Sequence, residues 1–298
     1  DAMAKPPTQE EIDREVKEFG VAFESGVEQR RLLPGAKLAD DMVSALDIRE
    51  TIASPEVVQD IFNMSKPLFT PARILASTRK LFGGSVTRAV YVTPKAGEAS
   101  PTGLKTALAA PVAGNGGSRL AAAAVRISDL PAIGTPSTPL ADKSVGLLEI
   151  RQIDYANGVK VQLWATEDEP GRVTLKVRFG AGWRAFSAAT APYATLAGIG
   201  LVDSGVGPLD REAMDRAMTG RKMGFDFGIE DTVFPFKAAT RAADLDDQLM
   251  LFATKFANPR WDANPVLRAQ AASKISYESY ALSPQGLLER DLKFLERG

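Results

Sequence analysis

At 298 residues the chain is long enough for about two domains that each bury a core, and 36 Lys and Arg against 37 Asp and Glu, formally −1, leave no basic surplus for a nucleic-acid footprint. With 45 % hydrophobic and 24 % charged residues the composition is that of a globular protein and not of a disordered one. There is no His and no Cys, which excludes a thiolate or imidazole zinc site, a Ser-His-Asp triad, a Cys-His nucleophile, a disulfide and a His or Cys haem ligand.

The first predicted element is a helix. Thr8 with Glu11 three residues on forms a capping box, and Ile12, Val16, Phe19, Phe23 and Val27 recur at helical spacing. A second helix is expected over 38–50. A third has Ser54 as N-cap and Pro55 in the first turn, with Val58, Ile61 and Phe62 as its apolar stripe. The same device, Thr70-Pro71, opens a fourth, which carries Ile74, Leu75, Thr78, Leu81 and Phe82 until Gly83-Gly84 ends it. Residues 86–92, Val-Thr-Arg-Ala-Val-Tyr-Val, have the β-branched and aromatic content of a strand, closed by Thr93-Pro94. Residues 95–145 are rich in Pro, Gly and Ala and are expected to form a linker, with the run at 120–125 a short helix or strand laid on a neighbouring surface.

Beyond the linker, 147–155, 158–165 and 173–179 read as three strands of a meander, the second entered through Asn157-Gly158. Helices are expected at 190–203 and 210–221, a strand pair at 223–229 and 232–240, and helices at 245–257, 265–280 and 284–297. Strands grouped with helices rather than strictly alternating predict an α+β architecture, a largely antiparallel sheet with helices packed on one face. Three segments are expected: 1–94 as the later part of one core domain, left incomplete, the linker 95–145, and a second core domain over 146–298, truncated at its C-terminal end.

Three motifs compete for a chemical role and none carries one. Gly198-Ile199-Gly200 followed by Gly205-Val206-Gly207 lacks the third glycine of G-x-G-x-x-G, because position 203 is Asp, and reads as a helix end followed by a tight turn. Ser77 and Lys80 match S-x-x-K, but neither S-D-N nor K-T-G accompanies them. Asp40-Asp41 and Asp246-Asp247 are adjacent residues that point to different faces of a helix and read as solvated surface. Asn63-Met64-Ser65 is a sequon with no secretory context to give it meaning. No run approaches the roughly 18 apolar residues of a membrane span. The start, Asp1-Ala2-Met3-Ala4-Lys5-Pro6-Pro7, lacks the basic-then-apolar order of a signal peptide and reads as a cut inside a longer polypeptide.

Taken together the chain resembles the insulinase and pitrilysin-like zinc metallopeptidases, the inverzincins that include mitochondrial-processing-peptidase-like proteins, whose catalytic motif is H-x-x-E-H. The resemblance is carried by Pro7-Thr8-Gln9-Glu10-Glu11-Ile12, similar to a "T-x-x-E-L" helix start, followed by Leu68-Phe69-Thr70-Pro71-Ala72-Arg73-Ile74 and by Leu81-Phe82-Gly83-Gly84 leading into Ala89-Val90-Tyr91-Val92-Thr93-Pro94. It is carried again by Ala156-Asn157-Gly158-Val159-Lys160-Val161, similar to "A-N-G-V-x-V", and by Phe179-Gly180-Ala181-Gly182-Trp183 with 196–207 and 223–236.

Such proteins are built from paired α+β domains that close like a clamshell over a peptide, and metal-activated water attacks the peptide bond with the motif Glu as general base. The resemblance therefore implies a non-catalytic segment of a bacterial-type zinc peptidase, with wall and hinge roles, and zinc in another part of the polypeptide or in a catalytic partner subunit. The stretch matching the motif helix, Ala191-Pro192-Tyr193-Ala194-Thr195-Leu196-Ala197-Gly198-Ile199-Gly200, has neither His nor Glu, so no catalytic, cofactor-binding or metal residue is assigned. The substrate-binding Arg and Tyr of the family's second half are expected beyond Gly298. The partners so implied are the rest of the polypeptide or a catalytic subunit and a peptide substrate, with no nucleic acid, and a periplasmic or secreted location is favoured. The alternative is a catalytically dead peptide-binding or assembly module, and an independent enzyme using carboxylates or Ser77 and Lys80 is set aside on the motif grounds above. An unpaired edge at 86–92 is expected to self-associate or to dock on another strand.

Overall fold

The computed structural model describes residues 3–86, 88–92, 97, 100–111, 125–146 and 148–297. The chain divides into two compact units, Asp1–Phe23 with Ala53–Ala123, and Glu24–Ile52 with Ala124–Gly298.

In the first unit lie the start of α1 (Gln9–Gln29), and, after α2 (Gly35–Asp47) of the second unit, α3 (Pro55–Ser65), α4 (Pro71–Phe82) and α5 (Pro101–Ala109). The helix starts are those the sequence signals require. The Thr8 amide donates to Glu11 Oε2 at 2.7 Å while the Glu11 amide donates to Thr8 Oγ1 at 3.2 Å, a reciprocal capping box. Ser54 Oγ accepts from the Val57 amide and Thr70 Oγ1 from the Arg73 amide, each at 3.4 Å, with Pro in the first turn where its missing N–H costs nothing. The helices meet through Phe62, whose ring lies 4.8 Å from Phe23 and 6.1 Å from Phe69, around the buried Ile12.

Residue 86 and residues 88–92 form no strand, against the expectation from their composition. The physical reason is pairing: a strand exists only against a neighbour, and no strand of the first unit stands among the described residues. Thr93-Pro94 and the Ala-rich run 120–124 lie outside the described residues.

The second unit continues with β1 (Pro139–Val145), β2 (Ile150–Tyr155), β3 (Lys160–Leu163), β4 (Val173–Phe179), α6 (Ala191–Asp203), α7 (Arg211–Met218), β5 (Asp226–Phe227), β6 (Phe234–Thr240), α8 (Leu245–Ala257), α9 (Ala263–Tyr280) and α10 (Pro284–Arg297). Among its described residues the stretch read as linker thus holds α5, β1 and a 3-10 turn, Ile127–Asp129, which sinks Ile127 and Leu130 into the core. Composition hid them because their apolar residues are few and flanked by Pro.

Two antiparallel sheets follow, ordered β1-β2-β3 and β4-β6-β5. The meander is present, and Gly158 takes a positive φ of 84° at its second turn, but its members are β1 to β3 and not β2 to β4. β4 leaves it to pair with β6, from Val173 opposite Thr240 to Phe179 opposite Phe234. That register puts Leu175, Val177 and Phe179 on one face with Phe236 and Ala238, where Leu201 of α6 and Phe252 of α8 cover them. A slip of one residue would turn this face to water, so burial fixes the pairing. A second cluster, Ile127, Leu130, Val206, Leu209, Met214 and Leu251, lies between α7, α8 and the 3-10 turn. The architecture is α+β with antiparallel sheets, the β4-β6-β5 sheet carrying its helices on one face.

Candidate functional site

The stretch that the sequence resemblance matched to the motif helix runs from the end of β4 into α6. Phe179 closes the strand, Gly180 and Gly182 take positive φ of 66° and 58°, and the Trp183 amide donates to the Glu230 carbonyl at 2.9 Å. A side chain at position 182 would overlap the backbone at Glu230, Thr232 and Val233, so only glycine lets this turn lie against the loop before β6. α6 then follows with Pro192 in its first turn and no acidic or imidazole side chain before Asp203.

Its glycines serve packing. A Cβ at Gly198 would sit 3.4 Å from the Phe227 ring, and one at Gly200 would sit 3.2 Å from Val266 Cγ2 and 3.5 Å from the Trp261 ring. The glycine pattern that loosely suggests a phosphate loop is therefore the contact surface that lets α6 approach β5 and α9. Gly200→Leu is expected to lower stability by about 2 kcal/mol through overpacking, read by urea denaturation; an unchanged midpoint would refute the packing role.

The remaining sequence motifs do not converge. Ser77 and Lys80 are both exposed on α4 and no hydrogen bond joins them. Asp41 pairs with Lys37 at 2.9 Å along α2, and Asp247 pairs with Arg221. Asn63-Met64-Ser65 forms the last turn of α3. Among the described residues no group of three or more His, Cys, Asp or Glu is arranged to hold a metal ion. The donor chemistry agrees: with no imidazole or thiolate in the chain, its residues do not fit zinc.

Clefts lie among the described residues of each unit. One of about 530 Å³ runs between α6 and α9, lined by Ile199, Asp203, Arg268, Tyr277 and Tyr280 among others. The other, about 500 Å³, belongs to the first unit and is walled by Ile12, Val16, Phe19, Phe62, Phe69 and Ile74. The first cleft also carries the hydroxyls of Ser273 and Ser276, and among the described residues no hydrogen bond joins either of them to Asp203.

One group of unusual chemistry escaped sequence reading. Lys255 on α8 is 2 % exposed, and its Nζ donates to the carbonyls of Leu201 at 2.6 Å, Ser204 at 3.0 Å and Gly205 at 3.1 Å, 4.7 Å from the centre of the Phe225 ring. Burial, joined by repulsion from Arg211 and opposed by Asp262 and Asp203, lowers its pKa to about 8. All three N–H directions end on carbonyls, so this amine caps the C-terminus of α6 and does not face a substrate. Asp262 completes the joint, accepting from the Gly205 amide at 3.2 Å and from Arg260 Nε at 2.8 Å. The Arg260 bond, aided by that amide, holds the Asp262 carboxyl below the usual range. The sequence signal was Lys255 itself, standing on the same helical face as Gln248, Leu251 and Phe252.

No protein-family model matches the sequence, and no curated protein matches it. Among solved structures it is similar to the periplasmic protease PqqL from Escherichia coli, at 13% identity and a TM-score of 0.50, over 92% of this chain and 30% of that one. It is also similar to the ferredoxin protease FusC, solved as a variant in complex with Arabidopsis ferredoxin, at 13% identity and a TM-score of 0.47, over 94% of this chain and 33% of that one. The chain spans about a third of the length of these structures, and at such identity the likeness is one of fold.

Proposed function

We propose that this chain is a non-catalytic segment of a zinc-dependent metallopeptidase. It forms wall and hinge of a clamshell around a peptide, while hydrolysis takes place at a zinc site elsewhere in the same polypeptide or in a partner subunit. The observation that carries the reading is α6. It follows the glycine turn after β4, where the family's motif helix would stand, and offers Ala191-Pro192-Tyr193-Ala194-Thr195-Leu196 in place of His and Glu. The fold likeness to a periplasmic protease over 92% of the chain supports the same reading.

The test is the mass and zinc content of the native gene product, with hydrolysis of an unstructured peptide measured for it and for the 298-residue chain. The expected result is a longer polypeptide, or a complex with a second subunit, that carries about one zinc and cleaves the peptide, beside a 298-residue chain that does neither. Chelator-resistant cleavage by the 298-residue chain itself would overturn the reading.

A further inference from the structure

The dipeptide that marks the hairpin in the sequence, Asn157-Gly158, is also a chemically labile one. Both residues stand exposed at the tip between β2 and β3. Backbone hydrogen bonds hold that tip: the Tyr155 amide donates to the Val159 carbonyl and the Gly158 amide to the Tyr155 carbonyl, each at 2.9 Å. The segment before β1 adds two more, from the Ala156 amide to the Thr138 carbonyl at 3.0 Å and from the Asn157 amide to Ser137 Oγ at 3.2 Å. The side chain of Asn157 is held at one atom only. Its Oδ1 accepts from the Val159 amide at 3.2 Å, an Asx turn, while its Nδ2 makes no hydrogen bond among the described residues. Gly158 takes a φ of 84° with open space where a Cβ would stand, so no side chain obstructs its nitrogen.

These are the parts of an intramolecular acyl transfer. The Gly158 nitrogen is the nucleophile, Asn157 Cγ the electrophile, and the Val159 amide a donor to the oxygen on which negative charge develops. Closure forms the N–Cγ bond and breaks the Cγ–Nδ2 bond, and the Gly158 amide proton leaves with the ammonia. Water then opens the imide ring. Cleavage at the N–Cγ bond gives Asp at 157, and cleavage at the main-chain carbonyl gives an isoaspartyl link that routes the backbone through the side chain. One water is consumed for each ammonia released, and no other reagent enters.

The same turn restrains the reaction. The nucleophile's N–H is committed to the Tyr155 carbonyl, so closure waits for the tip to open. We infer that Asn157 is a self-modifying site, converted to Asp and isoaspartate by the Gly158 nitrogen at a rate set by opening of the β2-β3 turn, and that the isoaspartyl product releases β3. The release follows from register. Val161 opposite Ile153 and Leu163 opposite Arg151 depend on the length of the turn, and the isoaspartyl link adds a backbone atom to it. The other described asparagines lack this arrangement: Asn258 and Asn264 precede Pro, whose nitrogen carries no hydrogen, and Asn63 lies in α3 before the side chain of Met64. This chemistry is independent of the peptidase reading.

Peptide mapping by mass spectrometry of protein aged in mildly alkaline buffer tests it, with Asn157 resolved from Asn115-Gly116, which lies outside the described residues. Folded protein is expected to accumulate Asp and isoaspartate at 157 about tenfold more slowly than urea-unfolded protein. Ser137→Ala removes an acceptor from the tip and is expected to recover much of that difference. In the isoaspartyl fraction the amides of 160–163 are expected to exchange with solvent faster than in fresh protein. An unmodified Asn157 in folded protein, at a time when the unfolded chain has converted, overturns the inference. Equal rates in folded and unfolded protein, or a Ser137→Ala rate equal to the native one, overturn the control by the turn. Unchanged protection of 160–163 in the isoaspartyl fraction overturns the release of β3.

Discussion

Replacing Phe236 by Ala is expected to lower the stability of the β4-β6-β5 domain by about 3 to 5 kcal/mol, the range for emptying a buried aromatic site. Phe236 is 2 % exposed and its ring lies 4.4 Å from that of Phe256, 4.7 Å from Phe225 and 5.0 Å from Phe179, the last two edge to face. Such pairs add to the area they bury. The cavity cannot close easily, because β6 is the central strand and its backbone is held by β4 on one side and β5 on the other. The control is Lys237→Ala on the opposite face, where Lys237 pairs with Glu230 in solvent at 3.5 Å and is worth little. Urea denaturation of both variants reads the difference. A Phe236→Ala loss no larger than that of Lys237→Ala would mean that this cluster does not organise the domain.

What was legible in the sequence follows the range of the interactions involved. Thr8 with Glu11, Ser54-Pro55 and Thr70-Pro71 fix helix starts through bonds that reach three residues, and each was readable. The helices Leu245–Ala257 and Pro284–Arg297 likewise have the bounds their patterns predict. Pairing is a different matter. β4 reads as the third strand of a meander because its sequence neighbours are strands, yet its partner β6 lies about sixty residues on, beyond two helices. Nothing local distinguishes those alternatives. β1 was lost in a Pro-rich stretch, and 86–92 was read as a strand from composition although residues 86 and 88–92 form none. The candidate site divides in the same way. The absence of His and Cys was visible at once and removes the usual zinc ligands from this chain. The role of Lys255 was not legible beyond its place on the apolar face of α8, because its acceptors are carbonyls fifty or more residues earlier, brought to it only by the packing of α8 on the end of α6.

That joint yields the second large effect. Lys255→Met keeps the volume and apolar stem of the side chain but leaves the carbonyls of Leu201, Ser204 and Gly205 without their donor in a buried place, and a loss of about 3 kcal/mol at pH 7 is expected. Its pH dependence separates the contribution of charge from that of shape. The folded-state pKa is lowered to about 8 from 10.5, so below 8 the amine is protonated in both states and the native state bears the full penalty of a buried cation. Between 8 and 10.5 the native protein has released the proton while the unfolded chain still binds it. Stability contributed by this residue therefore rises with pH across that window, by up to about 3 kcal/mol, and is lost again as pH falls through 8. The gap between the native protein and Lys255→Met, measured by urea denaturation at pH 7, 8, 9 and 10, is expected to widen with pH. A gap that narrows instead would mean that three carbonyls and the Phe225 face hold the ammonium more tightly than water does, and that the cation itself, not only its hydrogen bonds, fixes the end of α6.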